Sequence, residues 1–484
     1  MQKIFYEDSY FFNVEDAKKE ALGNNDVFLG HPTIFGKQIC YYNADEKVEG
    51  LPENCIWVPL ENFYNFFYTT KYRIPKKVIV YNNDFETPLE AQLLSEQLIN
   101  ILKIAIKDRD KLIDLYIQEN QNLEPDFKDE KLRIFMPTSR FTTVMQYVSK
   151  AIYEVLKQND KYEVNLFIEE TEFEALNDLL PINVEYHNFN PHIVININYL
   201  LSFCNEDVFN FTWFQDPMPF IMSEEKYTKN KREYFFSLTN FFDKCLERKG
   251  IPYERQNFAI NQNIFKVNNE IERTDKIVFI GSSYSHIVSP FDLDKNMIEE
   301  LKVHFEKGLG FSEVFIDEIL QKYEIKRDIL VQKVIPYIVR DFSVIWLCQT
   351  ELSKKFEIEV YGWGWEIYPE INKFFKGALN YGEDLVNIYS SAKYTLAPHP
   401  DYVIQQRVLE AISCGCQPIL YDCRAKDNPP YHEDVLIYYK SKDELLNSFN
   451  VCNNKKFDSF IEKFTYKNFV EKILNIVEKE KDVR

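Results

Sequence analysis

Two successive runs of short apolar segments alternating with amphipathic stretches constrain the fold of this 484-residue chain most strongly. Strands separated by helices in this order form parallel sheets with right-handed crossovers. The sequence therefore predicts two α/β domains in series. The predicted strands are 133–136, 164–168, 192–197, 211–214, 234–237 and 256–260 in the first run, and 277–280, 357–361, 394–397 and 418–421 in the second.

The same pattern sets the predicted domain boundaries. We expect an accessory domain over 1–125, a Rossmann-like domain over 126–270, and a second Rossmann-like domain over 271–484 that ends in a helix. The accessory domain carries strand-like pieces at 27–30, 56–60 and 78–81, followed by a helix over 88–117. Between the first two strands of the second Rossmann-like domain, the segment 292–356 is too long for a simple crossover and predicts two or three inserted helices.

Charge and hydropathy exclude two classes of partner. The formal net charge of -19 repels a polyanion, and phosphate neutralisation dominates non-specific nucleic-acid binding, so we expect no nucleic-acid partner. No stretch approaches the roughly 18 to 20 apolar residues of a membrane span, and the first ten residues lack the pattern of a signal peptide. A cytoplasmic protein without a membrane span is therefore expected.

The strongest local motif runs from Arg407 to Leu420. It predicts a helix that ends at Gly415, which takes positive φ without strain, followed by Pro418 and a buried strand. Helical spacing places Arg407 and Glu410 on one face of this helix. An ordinary surface salt bridge is the simpler interpretation of such a pair.

The start of the same helix offers a second interpretation of the motif. The strand 394–397 leads through Pro398-His399-Pro400 into the helix, and a helix amino terminus that follows a strand end binds phosphate through free N–H groups. Arg407 could then hold a diphosphate bidentately, with Glu410 accepting hydrogen bonds from ribose hydroxyls. His399, in the connecting loop, is predicted to belong to the same nucleotide-sugar site.

These residues form part of a longer pattern that resembles a known family. The segment from Gly377 to Ala392, followed by Arg407-Val-Leu-Glu410-Ala and Gly415-Cys-Gln-Pro418, resembles the C-terminal domain of GT-B glycosyltransferases of the family 1/4 type. It looks closest to their spore-maturation-like group. The stretches 257–265 and 361–365 are similar to other segments of the same enzymes, so the resemblance covers roughly residues 132–479 and is most specific in its last third.

The resemblance implies a fold and an activity. The two Rossmann-like domains would face each other across a cleft, and the chain would move a sugar from a nucleoside-diphosphate sugar to a glycan, protein or small-molecule acceptor. Backbone groups of the loop from Gly377 to Leu379 would hold the nucleobase, Glu410 would bind ribose, and Gly281 and Ser282 would lie near the diphosphate. The implied enzyme is a metal-independent, hexosyltransferase-type transferase without a cofactor.

Catalytic residues are less defined by the sequence. Many retaining members carry a Glu where this chain has Tyr402, and the adjacent Asp401 is not aligned with it, so the stereochemical course stays open. Asp216 follows a predicted strand, and an Asp at a strand end could deprotonate an acceptor hydroxyl. Capping of the turn before Pro217 is the alternative role for Asp216.

Two alternatives to a transferase remain open at this point. A nucleotide-sugar epimerase of the same fold would need more cationic and His residues, for which His286 and His399 are the candidates. A non-catalytic partner subunit would fit the missing Glu. Asp292-Leu-Asp294 imitates a D-x-D metal motif but sits at a predicted helix start, where acidic residues are expected, so no metal site is predicted.

Overall fold

The computed structural model describes residues 7–23, 37–141, 143–349, 351–427, 435–450 and 456–481. The chain divides into two compact units. The amino-terminal unit contains the described residues up to 236, with 249–253 and the residues from 476 onward. The carboxyl-terminal unit contains 237–248 and 254–475. The predicted boundaries after residues 125 and 270 stay predictions.

A small parallel sheet opens the amino-terminal unit, in the order β3-β2-β1-β4. Its strands are Ser9–Phe11 (β1), Cys40–Tyr42 (β2), Cys55–Trp57 (β3) and Lys77–Ile79 (β4), and its helices are Val14–Gly23 (α1), Phe63–Thr69 (α2) and Pro88–Gln121 (α3). The Thr87 side chain and the Glu90 side chain form a capping box at the start of α3. The predicted strands at 56–60 and 78–81 overlap β3 and β4, and the predicted strand at 27–30 lies outside the described residues.

The second sheet has the order β10-β9-β8-β7-β5-β6. Its strands are Leu132–Pro137 (β5), Tyr162–Phe167 (β6), Ile193–Ile197 (β7), Phe209–Phe214 (β8), Glu233–Ser237 (β9) and Glu254–Arg255 (β10), and the helices are Thr143–Leu156 (α4), Leu179–Phe189 (α5), Pro219–Met222 (α6) and Asn240–Lys249 (α7). Strands β5 to β8 pair in parallel. This is a doubly wound sheet, as the alternating pattern predicted.

One predicted strand of this sheet is wrong. Residues 256–260 do not form a strand, and the pairing segment is instead the two-residue β10 just before them. The Ile260 N–H donates to Phe464 O (2.7 Å) and the Tyr466 N–H donates to Ile260 O (3.4 Å). Gln256 still bonds to the end of β9, through its N–H to Ser237 O (2.8 Å), whereas Ile260 bonds to a distant part of the chain.

The third sheet lies in the carboxyl-terminal unit, is parallel throughout, and has the order β12-β11-β13-β14-β15. Its strands are Thr274–Ile280 (β11), Glu357–Tyr361 (β12), Ala392–Ala397 (β13), Gln417–Tyr421 (β14) and Ile437–Tyr439 (β15). The strand order reverses between β11 and β13, because the chain adds β12 on one side of β11 and the later strands on the other. The predicted α/β class with parallel sheets is confirmed.

Helices fill the connections of the third sheet. Between β11 and β12 lie Ser285–Val288 (α8), Lys295–Glu306 (α9), Glu313–Tyr323 (α10), Arg327–Ile329 (α11) and Ile335–Gln349 (α12), and after β12 come Glu383–Ser391 (α13), Gln406–Ser413 (α14), Arg424–Asp427 (α15), Lys442–Asn447 (α16), Phe457–Ile461 (α17) and Tyr466–Glu480 (α18). A π-helical segment, Leu330–Val334, joins α11 to α12. The predicted helical insertion is thus built from α9, α10 and the continuous α11–α12 rod.

Short 3-10 turns complete the secondary structure, at Leu60–Asn62, Asn82–Asp84, Glu351–Lys354, Ser448–Asn450 and Glu462–Phe464. Within the described part of the chain, no helix is both long enough and apolar enough to cross a membrane.

Candidate functional site

The carboxyl ends of β11 and β13 mark the place where the third sheet reverses its strand order. Ligands of doubly wound sheets bind outside the carboxyl ends of the strands at such a reversal. The loop 281–284 follows β11, and the loop 398–405 follows β13 and leads into α14. The candidate site is therefore built from these two loops and the helices that contact them.

Arg407, in the first turn of α14, packs directly against the loop after β11. A Cβ atom added to Gly281 would lie 2.8 Å from Arg407 Nη1, so a glycine is needed for this close approach. The guanidinium also lies 5.8 Å from the centre of the Phe279 ring. Arg407 Nη1 is buried and has no hydrogen-bond partner among the described residues. The N-cap residue Gln405 provides no side-chain cap to the helix start.

Arg340, in the middle of α12, brings a second guanidinium to the same loop. The residue is only 4% exposed, its Nη1 donates to Ser282 O (3.3 Å), and its guanidinium stacks 3.6 Å from the centre of the Tyr284 ring. Its Nε is buried and unpaired within the described chain. Burial lowers the pKa of Arg340 to about 10; the interaction with Tyr284 opposes this shift, and repulsion from Arg407 adds to it. Among the described residues, neither Arg340 nor Arg407 has a counter-ion at bonding distance.

The neighbouring Asp341 fixes the backbone of this loop. Its carboxylate accepts hydrogen bonds from Ser283 Oγ (2.6 Å), from Tyr284 N (2.9 Å) and from Tyr368 Oη (2.8 Å). Burial raises the pKa of Asp341, and these hydrogen bonds oppose the shift. The Asp341 carboxylate therefore accepts from three donors in and around the loop. It forms no direct ion pair with Arg340.

His399 adds a third polar group to the cluster. Burial lowers its pKa well below the ordinary value, and the positive charges of Arg340 and Arg407 lower it further. Its Nδ1 accepts a hydrogen bond from the Asp401 N–H (3.2 Å), so the neutral imidazole carries its proton on Nε2. His399 is thus a neutral hydrogen-bond donor beside two cations.

Glu410 lies one turn after Arg407 on α14 and is 6% exposed. Burial raises its pKa to about 7, while the Gln406 side chain and the charge of Arg407 oppose the shift. The surface salt bridge considered from the sequence is therefore wrong, because the carboxylate is buried and α14 is buried around most of its circumference. A buried carboxyl with a raised pKa is typical of functional sites.

The loop predicted to hold a nucleobase joins the site through its backbone. The Gly362 N–H, after β12, donates to Gly377 O (2.9 Å), and Gly377 has a φ of 89°. A Cβ on Gly362 would lie 2.3 Å from Gly281 O, so the loops after β11 and β12 touch through glycine. Leu379 is half-buried in the same loop. Next to these glycines, Trp363 is 41% exposed, an aromatic surface that sequence reasoning did not identify.

Asp216 belongs to the amino-terminal unit, directly after β8. Its Oδ2 accepts from Asn198 Nδ2 (2.7 Å), and Asn198 Oδ1 in turn accepts from the backbone N–H groups of Gln215 (2.6 Å) and Asp216 (3.0 Å). The residue is exposed to solvent, and desolvation by surrounding protein raises the pKa of its carboxyl. The strand-end position is as predicted, and the catalytic role stays a prediction.

The remaining acidic candidates have structural partners. Asp294 caps the start of α9 by accepting from the Asn296 N–H (2.7 Å), which is the helix-start role expected for the D-x-D sequence. Asp401 lies 3.5 Å from Lys426, and the ring of Tyr402 lies 4.2 Å from that of His399. Across the described residues, no group of three His, Cys, Asp or Glu side chains could hold a metal ion.

The structure brings several predicted residues together in the carboxyl-terminal unit: Gly281, Ser282, His399, Arg407 and Glu410, with Gly377 and Leu379 joined through Gly362. Sequence reasoning missed Arg340 and Asp341. The available signal was a charged pair inside the apolar run from Ile335 to Leu347, since charged residues are almost never fully buried without a specific partner.

Comparison with known proteins covers part of the site. Residues 341–457 match the family model described as Glycosyl transferase-like, and this segment contains Asp341, His399, Arg407 and Glu410. The carboxyl-terminal unit thus contains a glycosyltransferase-like domain. No curated protein sequence matches the chain.

Several solved structures are similar to the chain at low identity. Sucrose-phosphate synthase from Thermosynechococcus elongatus is 10% identical, with a TM-score of 0.45 over 72% of this chain and 99% of that one. AviGT4, a glycosyltransferase involved in avilamycin A biosynthesis, is 11% identical, with a TM-score of 0.39 over 71% and 96%. Anabaena HepE in complex with UDP-glucose is 10% identical, with a TM-score of 0.38 over 72% and 100%. Likenesses at this level carry no functional weight.

Proposed function

We propose that the chain is a glycosyltransferase that moves a hexose-type sugar from a nucleoside-diphosphate sugar to an acceptor. The observation that carries this proposal is the pair of uncompensated guanidinium groups at the reversal point of the third sheet. Arg340 Nε and Arg407 Nη1 are both buried without a hydrogen-bond partner among the described residues. Buried donors of this kind cost free energy unless a ligand completes them, and a diphosphate supplies the matching acceptors.

The two guanidiniums would act on the leaving group. When the bond to the sugar breaks, negative charge develops on the diphosphate, and fixed cations in a desolvated site stabilise that charge more than water does. The Nε2–H of neutral His399 would donate one more hydrogen bond to the diphosphate without adding a positive charge. Gly281 brings the loop backbone close to Arg407, because it has no Cβ, and Ser282 brings its carbonyl to Arg340.

The remainder of the donor would extend along α14 and the adjoining loop. Glu410, once ionised, would accept hydrogen bonds from the ribose hydroxyls, and backbone groups from Gly377 to Leu379 would hold the base. The positive charge that such a site needs is supplied by side chains, so the proposed reaction requires no metal ion and no cofactor.

The acceptor end of the proposal rests on Asp216. A carboxylate with a raised pKa that remains open to solvent can take a proton from an incoming hydroxyl. A glycan, a protein side chain or a small molecule could supply that hydroxyl.

A donor panel tests the proposal. The chain would be incubated with UDP-, GDP-, ADP- and dTDP-sugars, and the release of nucleoside diphosphate would be measured for wild type, Arg407→Ala and Arg327→Ala. Arg327 pairs with Glu313 and Asp317 on an exposed surface and is the matched control. We expect slow hydrolysis of at least one donor, lost in Arg407→Ala and kept in Arg327→Ala.

The other outcomes identify the competing functions. Conversion of a nucleotide sugar to its epimer without release of nucleoside diphosphate would establish an epimerase. Binding of a nucleotide sugar with no turnover, even with acceptors added, would indicate a non-catalytic partner subunit. Either result would contradict the transferase proposal.

A further inference from the structure

A shallow, open cavity of about 360 Å³ lies on the surface of the amino-terminal unit, within the small sheet domain that precedes β5. One wall is formed by Asn62, Asn65, Phe66 and Thr69, and the other by the turn 70–72. The volume lies in the range of about 300–1,000 Å³ that is usual for small-ligand sites. Neither the nucleotide site nor Asp216 contributes to this cavity.

Helical spacing explains why the wall is polar. Asn62, Asn65 and Thr69 recur at intervals of three and four residues, which places them on one face of α2 and its preceding turn. The opposite face carries Phe63 and Phe67, which are buried in the core of the small sheet domain. The cavity side of α2 thus presents amides and a hydroxyl together with the ring of Phe66.

Apart from Lys71, whose ammonium is paired with carboxylates, the side chains that line the cavity are neutral. Asn62 and Asn65 are exposed, and their side-chain amides have no hydrogen-bond partner in the described chain, so each offers two donors and an acceptor. The rings of Phe66 and Tyr72 lie 6.3 Å apart, and both are part of the lining. The Lys71 ammonium is paired with Glu170 (2.9 Å) and Glu174 (3.5 Å), so two carboxylates surround the single lining cation and disfavour a phosphate there.

This combination matches a sugar ring. Neighbouring hydroxyls of a sugar pair with planar amides that donate and accept at once, and the C–H face of the ring packs on aromatic surfaces. A peptide fits less well. The backbone of 71–73 is already bonded to the segment 173–175, with Ala175 N to Lys71 O (3.0 Å) and Arg73 N to Phe173 O (3.0 Å), so no strand edge is open there.

The same backbone bonds connect the cavity to the second sheet. The segment 173–175 belongs to the loop after β6, and in that loop Glu169 accepts from Ser139 Oγ (3.1 Å) and Arg140 N (2.7 Å) at the end of β5. The cavity is therefore tied to the carboxyl ends of β5 and β6, the edge at which a doubly wound sheet receives its ligand.

We propose that this cavity is a saccharide-binding subsite that holds part of a glycan acceptor away from the point of transfer. The binding of a saccharide is supported by the lining of the cavity alone. The role of that saccharide as an acceptor rests on the proposed transferase function. The proposal gives the small sheet domain a role, the selection of a neutral oligosaccharide.

Saturation-transfer NMR on the full chain, without any nucleotide sugar, tests the binding. The probes would be maltotriose, cellotriose, chitotriose and xylotriose, with a pool of Ser- and Thr-containing peptides for comparison. The variants would be Asn62→Ala/Asn65→Ala and Tyr72→Ala, with Asn100→Ala, an exposed amide on α3 outside the cavity, as the matched control. Thermal melting would establish that each variant is folded.

We expect at least one trisaccharide to receive saturation, with the dissociation constant raised about tenfold in both cavity variants and unchanged in Asn100→Ala. Absence of binding by all four saccharides, binding of peptides only, or equal affinity in the cavity variants would overturn the proposal. Because no donor is present, failure of the transferase assay leaves this result untouched, and the reverse also holds.

Discussion

Replacement of Arg340 by methionine separates a functional from a structural role of the buried cation. Methionine has a similar length, fills the same space in α12 and carries no charge. If Arg340 binds a ligand, its removal should not destabilise the ligand-free protein, because it eliminates an uncompensated buried charge. If Arg340 serves the fold by offsetting the buried charge of Asp341, its removal should leave that charge uncompensated and cost about 3–5 kcal/mol.

The magnitude follows from the surroundings of the guanidinium. Burial holds the pKa of Arg340 at about 10, against an ordinary 12.5. At neutral pH the side chain is charged in both the folded and the unfolded chain, so this difference is a full penalty on the folded state of about 3 kcal/mol, at 1.36 kcal/mol per pH unit. Loss of the bond to Ser282 O and of the stack on Tyr284 would offset about 1–3 kcal/mol.

The expected net change in the free energy of unfolding is therefore between zero and a gain of about 2 kcal/mol. Urea unfolding would measure it, and calorimetry with nucleoside diphosphates should show at least a tenfold loss of affinity. Arg327→Met, on an exposed surface, is the control for the substitution itself. A destabilisation of 3 kcal/mol or more with unchanged nucleotide affinity would refute the reasoning.

Three further predictions concern catalysis and pH. Asp216→Asn keeps the bond to Asn198 but removes the base, so turnover should fall by roughly 10² to 10⁴ while donor affinity stays near wild type; turnover within a fewfold would leave only the capping role. Treatment with EDTA should leave transfer intact, and loss of transfer that Mn²⁺ or Mg²⁺ restores would contradict the metal-independent site. The pKa of Glu410 is about 7 in the folded chain against an ordinary value of 4.5, so the wild type loses stability as the pH rises from about 4.5 to 7. Glu410→Gln should therefore raise the free energy of unfolding at pH 8 by up to about 3 kcal/mol, and it should weaken nucleotide binding. At pH 4.5 the same variant should match wild type in stability. A variant as stable as wild type at pH 8 as well would contradict the buried carboxyl.

The fold was most predictable where a strand is long and buried. The predicted strand 357–361 coincides with β12, Glu357–Tyr361, because its apolar residues and the glycines that follow it leave few alternatives. The strands β1 and β2 were missed, because all three residues of each strand are buried and show no alternation of exposed and buried positions. The false strand at 256–260 has a different cause, because Ile260 pairs with residues 464–466, a contact that local sequence does not encode.

The sequence predicted the part of the site that lies at the strand ends and the start of α14, but not the part contributed by α12. The positions of Arg407, Gly281 and His399 could be expected from strand ends and a helix start, which are local signals. Arg340 reaches the same loop from an inserted helix, and its distance from Arg407 along the sequence hides the juxtaposition until the fold exists. The burial of Glu410 was missed for a related reason, because the packing around α14 is a tertiary property that helical spacing does not report.

Titration calorimetry of UDP, GDP, ADP, dTDP and CDP against wild type, Arg407→Ala and Arg327→Ala tests the central claim, that the cations beside Gly281 form a nucleoside-diphosphate site. We predict that at least one diphosphate binds to wild type and to Arg327→Ala with equal affinity, and at least tenfold more weakly to Arg407→Ala. Identical affinities in all three proteins for every diphosphate, or no binding at all, would contradict the account.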